Sequence, residues 1–486
     1  MEGEQNVGGW GDTAAKEFSQ FNWFTNKIFQ NEIMLTNRGW LQPYSTDPFT
    51  FVINKNHNDW IKINRTLLWG DFQVQVDTDG VLSNPVATDI WSIINNPYHS
   101  MWQSIVMRIN GTEVESTSSI YSNIKAFFTN KLNMSRSYKN CLGYNNSWVD
   151  DDVNKGEKCG ATVDMKEIPD ENWTEAGWKT NVLADHTPRY KANPDYNSGF
   201  MKRRKGLGTG RKVAFCTPVY HDVMTAGKSL PPETEIEFIF HRASDDFMFI
   251  KDPNVCNKNL KIVLNDLRLS YDYQVVTPEV QAAFKASKGK KKPKALVKKN
   301  IVKYYVCHKD DTELSRAGVF YTSQNNLPEQ LILAFMPLST WNGDVSKNSL
   351  DFPETLQFSE IGLVVNGWNE PSRFLNNNTD RGKVELYEHF LDNIGYSENR
   401  TKAEIPITYE EFYGGSFMIP FDRTAAKHNG FYSTLPDKGT MDIHLKLAPD
   451  THLAENYVVI IFASYTEEMN IDEGHFYFTP LEAPAG

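Results

Sequence analysis

The sequence predicts an all-β chain folded as two consecutive antiparallel sandwiches. Three observations carry this. Apolar and polar residues alternate with a period of two from about residue 48 onward, the signature of strands buried on one face. The alternating segments arrive in two batches, separated by a polar, Lys-rich stretch near 278–300. Aromatics reach 13% of the 486 residues, and large flat side chains cover pleated faces well. A chain of this length accommodates two or three domains, each with a sizeable core.

Residues 1–40 precede the first strand and read as an arm. Phe18, Phe21, Trp23 and Phe24 are too dense for a solvated tail, and positions 21, 24 and 28 recur at helical spacing. Phe21, Trp23, Phe24 and Ile28 are therefore expected to dock on another surface; packing back on the chain's own domain is the other reading. Trp60–Ile63 and Phe72–Val76 alternate cleanly. Asn95–Ser100 reads as a turn, followed by one strand and an Asn110-Gly111 turn. Ser116–Ser119 supplies hydroxyls to cap a helix running through Leu132. The polar segment of about 140–205, rich in Asn, Asp, Gly and Trp, is too long for a plain loop and reads as a tower-like insertion, with Trp148, Trp173 and Trp178 buried within the tower or against an adjacent subunit.

Strands resume near Val213 and at Thr234–Phe240. Leu260–Leu264 restarts as Leu267–Tyr273 after Asn265-Asp266, a register step that predicts a bulge. In the second batch come Leu331–Met336, Ile361–Val365, Met441–Leu447 and Tyr457–Tyr465. A helix over Val384–Leu391 ends before Gly395.

Composition narrows the function classes. A net charge of −11 argues against a protein that coats nucleic acid with its whole surface. The five cysteines are scattered without a C-x-x-C pair, so reduced thiols are expected. Met1–Trp10 has neither a basic start nor an apolar core, so no signal peptide is expected. His99, His221 and His241 stand alone, which disfavours a metal centre. Adjacent acids such as Asp150–Asp152 would point to opposite faces of a strand, so no catalytic carboxylate pair is legible. Lys202–Lys212 mixes glycines and basic residues but lacks a Gly-Lys-Ser/Thr ending and leads into a strand. It reads as a basic loop. No catalytic, cofactor-binding or metal-ligating residue is assigned, and the chain is not expected to be an enzyme.

Four blocks taken in order resemble a known family. The first is Asn95–Ser100 through Asn110-Gly111 to Tyr121. The second joins Val219–Asp222, Leu230-Pro231, strand 235–240, Arg242 and Asp246-Phe247. The third is Asn326–Phe335 with Trp341–Asp344 and Asn348–Phe352, although the Gln330 region departs from the family's Gly-Gln-Leu-Pro pattern. The fourth is Ile361–Gly367 with Pro371, then Tyr409–Phe421 and Asn456–Tyr465. Together, over about 45–480, they resemble the double jelly-roll major capsid proteins, hexon-like, of the Polinton/Maverick and adintovirus type.

The resemblance implies two consecutive eight-stranded jelly rolls. The arm would span 1–40, the first jelly roll 41–277, the Lys-rich linker 278–300 and the second jelly roll 301–486. It further implies a homotrimer forming pseudo-hexagonal capsomers that tile an icosahedral virion shell around double-stranded DNA. Neighbouring capsomers and a minor (penton) protein would be partners, with an inner contact to genome or membrane. Assembly would occur in the host nucleus or cytoplasm, with no cofactor and no small-molecule substrate. The arm would then dock on a neighbouring subunit, a minor protein or a membrane face. Lys290, Lys291, Lys292 and Lys294 fit a nuclear-localisation or nucleic-acid contact, or simply a solvated linker. The rival classes are a secreted carbohydrate-binding or glycan-hydrolysing jelly-roll protein and a minor shell or vertex protein, which would need only a single jelly roll.

Overall fold

The computed structural model describes residues 33–55, 59–86, 89, 91–114, 120–133, 148–153, 197–226, 229–251, 256–279, 281–282, 294–322, 326–396, 407–424, 438–472 and 475–480. The main strands of the first batch are β1 (Ile33–Leu41), β2 (Phe49–Ile53), β3 (Trp60–Thr78), β4 (Trp102–Ile109), β5 (Thr112–Glu113), β6 (Val213–Pro218), β7 (Ile236–Arg242) and β8 (Asn259–Val276); short strands at Ser45–Thr46, Val81–Ser83, Trp91–Ile93, Ser229–Leu230 and Phe249–Lys251 accompany them. They pair antiparallel as β1-β8-β3-β6 in one sheet and β2-β7-β4-β5 in the other.

The main strands of the second batch are β9 (Lys294–Cys307), β10 (Arg316–Thr322), β11 (Gln330–Pro337), β12 (Phe358–Val365), β13 (Trp368–Leu375), β14 (Met418–Asp422), β15 (Gly439–Leu447) and β16 (Tyr457–Asp472), with His475–Pro480 folded back on the end of β16. Its sheets are β9-β16-β11-β14 and β10-β15-β12-β13. Adding eight to each label of the first half reproduces the second. First strand beside last, second beside seventh, is the jelly-roll wrapping, and the chain is a double jelly roll.

The repeat extends to register. In the first half Trp40 pairs with Ser270, Ser270 with Leu67, and Leu67 with Pro218. In the second half Asn300 pairs with Ser464, Ser464 with Gln330, and Gln330 with Asp422. Both rows end on the last residue of the sixth strand, so Trp40 and Asn300 occupy equivalent places. The hairpins repeat too. Asn110-Gly111 (φ 51° and 79°) closes β4 onto β5, and Asn366-Gly367 (φ 51° and 84°) closes β12 onto β13. Two successive positive φ values make a turn whose twist matches the strands it joins, and Asn-Gly reaches it at least cost.

The alternation seen in the sequence places the core. Ile236, Phe238 and Phe240 of β7, and Met441, Ile443, Leu445 and Leu447 of β15, are all buried. The expected bulge is present: β8 slips against β3 between Asn265 and Arg268, with Asp266 at φ 47°.

Helices fill the long connection between fifth and sixth strands in each half. In the first half these are α1 (Ser122–Asn133) and α2 (Ser198–Leu207); in the second, α3 (Asp380–Asn393) and α4 (Tyr409–Gly415). α1 begins directly after Tyr121, which sits at φ 56°, outside helical geometry; Ser122 turns its hydroxyl to the Ile105 N–H of β4, and the expected cap at Ser116–Ser119 lies outside the described residues. α3 is capped by Thr379, whose hydroxyl accepts the Gly382 N–H, and α4 by a reciprocal Thr408/Glu411 box.

Three expectations are corrected here. The arm does not run to residue 40, since Ile33–Leu41 is already β1, paired with β8. The run beginning at Lys202 is not a loop; Lys202, Arg203 and Arg204 lie in α2, whose first turn is capped by Asn197. The segment expected as a linker through 300 is already strand from Lys294, since Leu296, Val297, Ile301 and Val302 supply enough apolar surface for β9 to pair along its whole length with β16. Phe358 is fully buried against Phe335, so Phe358→Ala should lower unfolding free energy by about 3–5 kcal/mol in urea titration without changing the fold.

Candidate functional site: the junction and the free sheet edges

The two sandwiches meet through α1 and the short 3-10 turn Asp222–Ala226 of the first half and β9 and β16 of the second. Phe128 of α1, fully buried, packs on Phe352 at 5.5 Å and on Phe462 at 5.8 Å. Phe127 stacks on Trp148 at 5.5 Å. A polar clasp lies beside this apolar contact. The Asp222 carboxylate accepts the Asn300 peptide N–H at 2.9 Å and its side-chain amide at 3.0 Å. Lys125 of α1 stands 3.6 Å from the same carboxylate, and both side chains are almost wholly buried. The Asn300 amide oxygen in turn accepts the Ser464 hydroxyl.

A second set of bonds fixes the ends of the insertion. Asp151 takes Arg203 at 2.6 Å and Asn197 at 2.8 Å, and crosses to the second half through Asn348 at 3.1 Å. Arg203 also donates to the carbonyls of Ile93 and Val149, both at 2.7 Å. Burial works against the charged Lys131 ammonium, but Asp150 at 3.2 Å and the nearby Asp151 and Glu411 carboxylates together raise its pKa. Residues 148–153 and 197–205 of the segment thus belong to the core and the junction. Residues 154–196, with Trp173 and Trp178, lie outside the described residues. Trp148 is buried, as expected, but within its own chain.

The arrangement offers rigidity rather than chemistry. Burial drives the pKa of His99 down to about 3 and that of His221 down to about 4, so both rings are neutral near pH 7. The His99 Nε2 accepts the Tyr220 N–H at 3.2 Å. Burial pushes the Cys256 thiol up and the Cys307 thiol to about 11, far from a thiolate nucleophile. Among the described residues no group of three His, Cys, Asp or Glu is placed to hold a metal ion.

Of the residues singled out in the sequence, Lys294 opens β9 opposite Asn470. Lys290, Lys291, Lys292, Phe21, Trp23, Phe24 and Ile28 lie outside the described residues. The clasp residues carried no sequence signal of their role. Asp222 sits in a block used for the resemblance, but nothing there shows that it faces Asn300, 78 positions away.

Exposed apolar side chains gather on edges. β1 ends its sheet and shows Leu35, 50% exposed, and Trp40, 53% exposed, with Tyr44 just beyond it at 88%. Tyr304 on β9 meets Tyr121 and Trp341, with ring centroids 6.1 and 4.9 Å away.

This architecture is similar to solved virus proteins. Over 94% of this chain and 90% of the other, it matches a protein in the cryo-EM structure of the Sputnik virophage, with a TM-score of 0.55 and 11% identity. Over 92% of this chain and 90% of the other, it matches the mavirus major capsid protein in a crystal structure, with a TM-score of 0.50 and 12% identity. No family model and no curated protein sequence matches the chain.

Two outcomes follow from the buried polar groups. Asp222→Ala removes the acceptor of both Asn300 donors and should cost about 2–4 kcal/mol, with coupling above 1 kcal/mol in a double-mutant cycle with Asn300→Ala. The depressed His221 pKa gives stability that is complete above pH 6.5 and is lost as pH falls towards about 4. That loss is about 3 kcal/mol, so urea midpoints of His221→Gln should fall less steeply across this window than those of the parent.

Proposed function

We propose that this chain is a major capsid protein. It assembles as a homotrimer whose six jelly rolls form a pseudo-hexagonal capsomer, and these capsomers tile an icosahedral shell around double-stranded DNA. The observation that carries the reading is the doubled jelly roll itself. Two halves with one strand order and one ladder register lie side by side in a single chain, joined by a buried clasp that holds them as one block. A building block needs rigidity and two comparable faces, and this one has both. Its likeness in fold to the mavirus major capsid protein supports the same reading.

The carbohydrate-binding alternative needs an aromatic concave face. Here exposed Trp40, Tyr304 and Trp368 lie on edge strands and at a hairpin end. The finer attribution, to the Polinton/Maverick and adintovirus lineage, rests on the four sequence blocks. The virion is then the site of action, neighbouring capsomers and a penton protein are the partners, and assembly takes place in the host nucleus or cytoplasm. Phe21, Trp23, Phe24 and Ile28 form an arm that docks outside the chain's own sandwiches. Lys290, Lys291, Lys292 and Lys294 supply a contact for phosphate or an import receptor.

Light scattering and negative-stain microscopy of the purified protein test this. Particles of three times the 55.6 kDa chain with a pseudo-hexagonal outline are expected, and a monomer at every concentration refutes the reading. Deleting residues 1–32, which stops short of β1, should leave the trimer folded and abolish closed shells.

A further inference from the structure

We propose that the free edge of β1, marked by Leu35, Trp40 and Tyr44, is where the second sandwich of another copy of this chain docks. It does so through the exposed face of α3 and α4. The inference rests on the capsid reading and deepens it by naming the contact surfaces.

The junction inside the chain is the template. There the first sandwich grips the rim of the second at Asn300 of β9, the strand that ends its sheet. The grip comes from α1 and the Asp222 turn, elements on either side of the sixth strand. By ladder register Trp40 holds in the first sandwich the place Asn300 holds in the second, since Ser270 and Ser464 are their partners on the last strand. Both serines also bond sideways: Ser464 to the Asn300 side chain, Ser270 to Trp69 at 2.8 Å, on which Trp40 rests with centroids 5.5 Å apart. The same rim is thus built twice. At β9 it is covered by the chain's own first half, whereas β1 has β8 as its one strand neighbour among the described residues.

The complementary face also repeats. α1 fills the connection between fifth and sixth strands in the first half; α3 and α4 fill it in the second. Val384 on α3 is 60% exposed and Tyr409 opening α4 is 39% exposed. Among the described residues, a rim with one strand neighbour and an exposed helical face, on opposite halves of one chain, make a head-to-tail pair. Repeating such a head-to-tail contact between copies generates a ring where its rotation closes. An open strand edge flanked by apolar side chains is also a liability in a free monomer, and covering it answers that.

The test uses the full chain with Tyr44→Glu, Leu35→Glu and, on the opposite face, Val384→Glu. All three positions are solvent-exposed in one chain, so circular dichroism and melting should stay as in the parent. Sedimentation should show assembly weakened about tenfold or more for each. Mixing Tyr44→Cys protein with Val384→Cys protein should give a disulfide between copies, mapped by mass spectrometry. Parent-like assembly of all three charge variants overturns the proposal while leaving the capsid reading intact. A parent protein that is monomeric throughout overturns both. Hydrogen-exchange protection of residues 33–41 that persists unchanged at monomeric dilution would place the chain's own residues 1–32 on the edge, and that also overturns it.

Discussion

A strand at the rim of a sheet leaves alternate peptide groups without a ladder partner, and a buried carboxylate is costly unless its oxygens are satisfied. The junction of this chain resolves both demands with one contact. Asp222 receives the backbone and side-chain donors of Asn300 on the rim strand β9, with Lys125 beside it. Because these groups are buried, only a narrow range of orientations between the sandwiches satisfies them together. The Phe128 contacts with Phe352 and Phe462, and the Asp151–Asn348 bond, then fall into place around that fixed point. Rigid coupling of two sandwiches is what makes the chain a single block with two comparable faces.

The two halves repeat their topology without repeating their residues. Along the equivalent ladder row, Trp40, Ser270, Leu67 and Pro218 stand against Asn300, Ser464, Gln330 and Asp422, and only the serine is shared. What recurs is alternation, strand order and the Asn-Gly hairpin. The same freedom is visible outside the chain, where 11–12% identity accompanies similarity of fold over more than nine-tenths of its length. Sheet geometry asks for a pleated apolar face and a turn of the right hand, and many sequences meet that.

Residues whose role depends on near neighbours were readable. The buried face of β7, the bulge at Asp266, the Asn110-Gly111 turn and the helix before Gly395 each follow from a few adjacent positions. The basic run at Lys202 misled because its charge suggested solvent. Arg203 is instead buried, its guanidinium spread over Asp151 and two carbonyls from distant segments. Lys294–Asn300 looked like a linker by lysine count, yet β9 buries Val297 and pairs Lys299 with Glu467 at 3.2 Å.

The sequence alone determined that this protein is built of sheets, in two batches, with aromatic cores and no legible catalytic set, because period-two alternation and turn chemistry are local properties of a chain. Only the tertiary structure decided where the function lies. Which strand ends a sheet, which carboxylate reaches its rim and which aromatic side chains stay exposed on it depend on contacts such as Asp222 with Asn300 and Ser270 with Trp40. Those residues are separated by tens to hundreds of positions, and their meeting is fixed by the order in which strands close into sheets, a property that no short stretch of sequence carries.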